Sequence, residues 1–266
     1  MIFKGIRGET VQDINFCFQN RNYVVVGASS GIGKQITLDP AESGANVLAI
    51  ARNNERLDDV RLLYPDKITT AVINVLCARD NDWRGVLDPF VTKYGKINGG
   101  IYTAGISKIA SLKMLDEEDA RDVVETSFWG MLFFLKFITR KKYSCVGSSF
   151  VVFSSAASYI GQKGGIAYAA AKAAVSNAVK SIASEIAANK QRINSISPGW
   201  VKTNMTELAE QESGGIVSSD LESAYPLGLG VPKNISGMAL FLMSDAASWI
   251  TGSDVVIDGG FLVGRF

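Results

Sequence analysis

The chain has 266 residues, 47% of them apolar, which is ample material for a buried core and rules out a mainly disordered chain. Its 27 basic and 26 acidic side chains leave a formal charge of +1, with no overall field for gripping a polyphosphate, so nucleic acid is excluded as the main partner. It contains no histidine, which removes Ser-His-Asp and Cys-His catalysis and every metal site built on imidazole.

Cys17, Cys77 and Cys145 lie far apart without Cys-x-x-Cys spacing and read as reduced thiols, so no metal site is expected. The longest apolar run, 128–135, is far short of the ~18 residues that a membrane helix needs. The first residues mix Lys4, Arg7, Glu9 and Asp13 without an apolar stretch, so they do not read as a secretory signal. The expectation is a soluble cytoplasmic protein that does not engage a membrane.

In chain order, residues 1–20 read as an N-terminal extension in which Phe16 and Phe18 tuck against a sheet while the rest is mobile. Residues 21–266 read as a single domain, with no linker, composition shift or internal repeat. Strands are predicted at 23–26, 47–51, 70–75, 100–103, 150–154, 192–197 and 254–257. Between them, helices are predicted at 31–43, 54–63, 80–94, 117–141, 168–188 and 233–244, and Pro40 should kink or end the first. Strands that alternate with helices pair in parallel through right-handed crossovers. The fold class is therefore α/β: one doubly wound Rossmann domain, its seven-stranded parallel sheet flanked by helices on both faces. The polar stretch 203–232, punctuated by Gly214, Gly215, Pro226 and Gly228, is predicted to be a loop covering a substrate.

The first strand runs into Gly27-Ala28-Ser29-Ser30-Gly31-Ile32-Gly33. Small residues there let the backbone approach a pyrophosphate at the next helix N-terminus, and Ser29 and Ser30 add hydroxyls. A glycine cluster alone also marks any tight strand-to-helix turn. An NAD site places a carboxylate roughly 20 residues beyond such a loop. Here the second strand ends in Ala51-Arg52-Asn53, and Arg52 suits a 2′-phosphate, unless it is merely solvated. NADP is thus preferred, with NAD the alternative. Tyr168 and Lys172, four apart, share one helix face, and Ser155 closes the fifth strand thirteen residues earlier, so the three groups converge beside the crevice.

With these motifs the sequence resembles the short-chain dehydrogenase/reductase family from about Tyr23 to Gly260, and looks most like its 3-oxoacyl-[acyl-carrier-protein] reductase and sugar or alcohol dehydrogenase members. The likeness also rests on Pro198-Gly199-Trp200-Val201-Lys202-Thr203 and on Ile250-Thr251-Gly252 through Asp258-Gly259-Gly260. It implies hydride transfer between nicotinamide C4 and a carbonyl or secondary alcohol. Tyr168 would move the proton, Lys172 would favour the phenolate and hold the nicotinamide ribose, and Ser155 would stabilise the oxyanion. Val201, through its backbone, and Thr203 would orient the carboxamide, with Pro198 and Gly199 beside them. Val75, Ala104 and Gly105 would line the nucleotide.

Four positions depart from the family's pattern. Tyr102-Thr103-Ala104-Gly105 replaces Asn-Asn-Ala-Gly, which keeps the turn but is expected to lose side-chain ties between central strands. Asn74 stands for an adenine-contacting Asp, and Val26 for a common Thr. Ser127 replaces the fourth catalytic residue, an Asn, and is expected to weaken a proton relay to Lys172 that it partly preserves. Ile106, Tyr159, Ile160 and Trp200 suggest an apolar substrate pocket. The resemblance implies a homotetramer or homodimer through the helices that begin near Glu117 and Tyr168, with Trp129, Phe133 and Phe134 on the former. Arg140-Lys141-Lys142 suggests docking of an acyl carrier protein, or is merely a solvated helix end. The function expected is NADP-dependent carbonyl–alcohol interconversion on a small molecule, possible 3-oxoacyl thioester reduction included. Its alternatives are a sugar or polyol dehydrogenase and a nucleotide-binding pseudo-enzyme or regulatory subunit.

Overall fold

Valine and isoleucine runs build the strands, and their alternation splits the apolar side chains between two layers. In the computed structural model, which describes residues 16–212 and 218–263, β1 (Asn22–Val26) is buried throughout. Its Tyr23 and Val25 enter one core, and its Val24 and Val26 the other. β2 (Asn46–Ala51) and β3 (Ile68–Val72) add to one edge of β1, and β4 (Ile97–Tyr102), β5 (Ser144–Phe153), β6 (Arg192–Pro198) and β7 (Asp254–Ile257) add in turn to the other. All neighbours pair in parallel, in the order β3-β2-β1-β4-β5-β6-β7.

Helices cover both faces. α1 (Gly31–Glu42), α2 (Asn54–Leu63) and α9 (Pro232–Met243) supply Ile36, Leu57, Val60 and Leu242 to the first core. α3 (Asp80–Tyr94), α5 (Gly130–Ile138) and α6 (Ile166–Ile186) supply Trp83, Leu87, Phe134 and Val179 to the second. α4 (Glu117–Val124) lies against α6. Because the chain reverses its direction of growth between β1 and β4, a crevice opens at their C-terminal ends.

Several expected boundaries move. β4 begins at Ile97 rather than 100, because Gly99 and Gly100 are strand residues whose missing side chains leave room for Tyr23, Phe134 and Ile138. β5 begins at Ser144 and is interrupted: Ile97 pairs with Ser144 but Gly99 with Ser149, so the intervening residues bulge out and obscure the strand. β3 stops at Val72, where β2 offers no further partner beyond Ala51. The stretch 117–141 is not one helix, since a π turn, Glu125–Trp129, separates α4 from α5. The stretch 203–232 carries α7 (Asn204–Glu212) and α8 (Ser218–Ser223), not only loop.

Pro40 sits in the last turn of α1, which ends two residues later. Phe18 is fully buried with its ring edge-on to Tyr23 at 5.5 Å, and Phe16 packs against Phe241. The rest of the extension, 1–15, lies outside the described residues. Among the described residues no helix is long and apolar enough to cross a membrane, and no cluster of potential metal ligands occurs.

Candidate active site

The glycine turn follows from the end of β1. Gly27 takes a φ of +88°, open to glycine at little cost, and its N–H and that of Ala28 donate to the Ile50 carbonyl of β2 at 2.8 and 3.1 Å. A Cβ at Gly33 would collide with the Gly27 carbonyl and with Thr103 Oγ1, so α1 can approach the strand ends only because 33 is glycine. Ser30 caps α1 by its backbone without using its hydroxyl as a cap. The helix N-terminus and two serines thus border a cleft of about 480 Å³. Such a lining suits a pyrophosphate: free N–H groups, hydroxyls and a favourable dipole meet where no side chain intrudes.

Every residue expected to bind the cofactor lines this cleft. They are Gly27, Ser29, Ser30, Gly31, Ile32, Gly33, Arg52, Asn53, Asn74, Val75, Ala104, Gly105, Tyr168, Lys172, Pro198, Gly199, Val201 and Thr203. Asn53 has a second task, accepting the Arg56 N–H at 2.9 Å as N-cap of α2. Arg56 also lines the cleft with Arg52, a cation the sequence reading missed although it lies one helical turn further on. Arg56 also borders, with Lys34, Asn204 and Ser29, a smaller recess of about 210 Å³. Met205 and Thr206 were missed too; Thr206 Oγ1 donates to the Val201 carbonyl at 2.9 Å and so ties α7 to the cleft wall.

Ser155 and Tyr168 both line the cleft; burial raises the Tyr168 pKa above its ordinary 10, and the neighbouring Ser155 hydroxyl, which favours the phenolate, only partly offsets that rise. Lys172 is buried, with Nζ donating to the Phe153 carbonyl at 2.8 Å and lying 5.6 Å from the Tyr168 ring centre. Burial lowers its pKa from 10.5 to about 8. Ser154 Oγ donates to the Lys172 carbonyl at 2.8 Å and clamps α6 to β5, which sets the lysine's height above the strand ends. The arrangement can hold a carbonyl oxygen between two hydroxyls and pass a proton from one of them.

Ser127 lies in the π turn behind the cleft rather than on its wall, buried, its hydroxyl without a protein partner. A Cβ at Gly105 would stand 3.5 Å from Ser127 Oγ and 3.4 Å from Lys172 Nζ, so both groups face the same space. At 103 the expected loss of a tie between central strands does not occur, since Thr103 Oγ1 donates to the Val26 carbonyl of β1 at 2.9 Å; Tyr102 Oη donates instead to the Thr126 carbonyl of the π turn at 2.6 Å, which ties no two strands.

The expected substrate wall is only partly found. Ile106 lines the cleft, whereas Tyr159, Ile160 and Trp200 do not. Tyr159 turns away to donate to Asp254 of β7 at 2.6 Å, a carboxylate that also accepts from Ser197; burial first, and then the Asp254 carboxylate, push the Tyr159 pKa up to about 12. The Trp200 backbone N–H donates to the Tyr225 hydroxyl at 3.0 Å. The run Arg140-Lys141-Lys142 sits at the opposite edge of the sheet, where β4 and β5 begin, and Lys142 is paired with Asp88 at 2.7 Å. Trp129 and Phe133 are exposed, while Phe134 faces the sheet.

Comparison with known proteins agrees with this geometry. A family profile described as enoyl-(acyl carrier protein) reductase matches residues 27–262. A 3-oxoacyl-[acyl-carrier-protein] reductase of Thermotoga maritima is 34% identical over 245 residues, 90% of this chain and 97% of that protein. An NAD-dependent glycerol dehydrogenase of Listeria innocua is 31% identical over 264 residues, 99% of this chain and 100% of that one. Among solved structures, a short-chain type dehydrogenase/reductase from Mycobacterium ulcerans superimposes with a TM-score of 0.85 at 28% identity, covering 93% of this chain and 92% of that one. The matched stretch runs from the glycine turn past the last strand, and the chain belongs to the short-chain dehydrogenase/reductase family, as an oxidoreductase of alcohol and carbonyl groups on small molecules that uses a nicotinamide dinucleotide.

Proposed function

We propose that the chain is an NADP-dependent carbonyl reductase whose substrate is a 3-oxoacyl thioester. The observation that carries the chemistry is the meeting of Ser155, Tyr168 and Lys172 at the mouth of a nucleotide-sized cleft. When bound in the cleft, a nicotinamide dinucleotide would supply the hydride. Tyr168, kept protonated by burial, gives its proton to the carbonyl oxygen, which Ser155 holds by a hydrogen bond. Lys172 binds the ribose and replenishes the Tyr168 proton, with Ser127 on the route from solvent. Gly27, Ser29, Ser30, Gly31, Ile32 and Gly33 hold the pyrophosphate, Asn74 and Val75 the adenine, and Val201 and Thr203 the carboxamide.

The preference for NADP rests on Arg52, just past β2, and Arg56, in the first turn of α2, where Ala51-Arg52-Asn53 offers no carboxylate to a ribose 2′-hydroxyl. Residues 21–266 act as one domain, with 203–232, which carries α7 and α8, as the segment that covers the substrate, and the exposed Trp129, Phe133 and Ile166 pair with a second copy in a homodimer or homotetramer. An acyl carrier protein as donor of the substrate draws its support from the Thermotoga likeness, since Arg140-Lys141-Lys142 lies far from the cleft. A second reading, polyol oxidation with NAD, is favoured by the full-length likeness to the Listeria enzyme.

Steady-state rates decide between them: NADPH oxidation with a short 3-oxoacyl thioester against NAD reduction with glycerol, with Tyr168→Phe as control. Turnover with NADPH and the thioester that vanishes in the variant is expected. Turnover with NAD and glycerol alone selects the second reading. Cofactor binding without turnover on either leaves a nucleotide-binding subunit.

A further inference from the structure

Tyr102 ends β4 with its phenol buried in the core beneath α5, a polar group for which apolar packing alone gives no reason. Its oxygen meets one acceptor, the Thr126 carbonyl, at 2.6 Å. That carbonyl is special. In a regular helix the Gly130 N–H would bond to Thr126, four residues back; in the π turn it donates to the Glu125 carbonyl instead. The inserted residue leaves the Thr126 carbonyl over, buried, and an unpaired buried carbonyl costs about 1–3 kcal/mol. The phenol of Tyr102 satisfies it.

A second feature is matched to the first. A Cβ at Gly130 would collide with the Tyr102 hydroxyl, so glycine there is the room that the phenol needs. The π turn also advances the register of everything after it by one residue, and the residue it carries at its centre is Ser127. Ser127 Oγ, with no protein partner, faces the space over Gly105 that Lys172 Nζ faces from the other side. Regular α-helix from 117 onward would aim a different side chain there.

We propose that Tyr102 is a positioning residue of the catalytic centre: its phenol takes up the carbonyl that the π turn leaves over, and so holds the turn in the register that presents Ser127 to Lys172. This rests on the reading of Ser127 and Lys172 as the proton route. A thermodynamic cycle on kcat separates it from a general role in stability. Tyr102→Phe is expected to lower kcat about 10-fold with KM for NADPH and thioester unchanged, and to do so less than about 2-fold in a Ser127→Ala background. An equal loss in both backgrounds, or no loss in either, overturns the proposal.

Tyr102→Phe with Gly130→Ala guards against a packing artefact, because the added methyl occupies the place of the lost oxygen. That double variant should regain thermal stability and keep the slow kcat; recovery of kcat with stability would overturn the assignment. Amide exchange across 125–130 gives a readout free of catalysis. Faster exchange there in Tyr102→Phe is expected, and unchanged exchange overturns the proposal. If the unaltered chain reduces no carbonyl, the catalytic reading fails by itself, and the exchange experiment still decides what the phenol holds.

Discussion

Lys172 carries its amine in a place that disfavours the charge, and that has a measurable sign. Below about pH 8 the amine is protonated in the folded and the unfolded chain alike, and the penalty of burial is fully present. Between about 8 and its ordinary 10.5 the folded chain has released the proton that the unfolded chain still binds. Stability contributed by this group therefore rises with pH across that window. Lys172→Met removes the penalty but also the bond to the Phe153 carbonyl, so a net gain of about 1 kcal/mol at pH 7 is expected by urea denaturation, with turnover abolished. The advantage of the variant should shrink as pH approaches 10. A second residue-scale expectation concerns Arg52. Arg52→Ala should raise KM for NADPH about 10-fold and leave that for NADH within a factor of about two, because only the former offers a phosphate to a guanidinium.

At the scale of the element, the glycine turn and the π turn were unequally legible. Gly27, Gly31 and Gly33 announce their turn because only glycine tolerates the approach. Gly33→Ala should accordingly raise the Kd of NADPH at least about 10-fold in a fluorescence titration, since the Gly27 carbonyl and Thr103 must shift to admit the methyl. β1, β2 and β7, whose apolar runs no glycine or bulge interrupts, could be read almost to the residue. β4 and β5 could not: two glycines and a bulge interrupt the apolar run exactly where tertiary packing demands small residues. The π turn left no signal, as Glu117 to Lys141 keeps a helical rhythm throughout and the extra residue is stabilised by a phenol 24 positions from the carbonyl it binds. The cleft was legible because its lining comes from motif residues at strand ends. Its substrate wall was not, since Tyr159 bonds to Asp254, nearly a hundred residues on in the chain.

At the scale of the molecule, two apolar layers sandwich the sheet, and the segment before β1 belongs to the first of them. Phe18 joins Tyr23 and Ala45 in that core, and Arg21 pairs with Asp245 across its rim. Phe18→Ala is expected to cost about 3 kcal/mol by urea denaturation, whereas Arg21→Ala should cost less than about 1, because the ion pair is solvated and the ring is not. The strand order carries a consequence for the ribosome. β1 emerges first and lies inside the sheet, third from one edge; β2 and β3 attach to one flank before any residue of β4 is made, and β4 through β7 then join the other flank one after another. Each rung finds its neighbour already synthesised, so the sheet can grow outward in the order of translation, the nucleotide half preceding the half that carries the proton route.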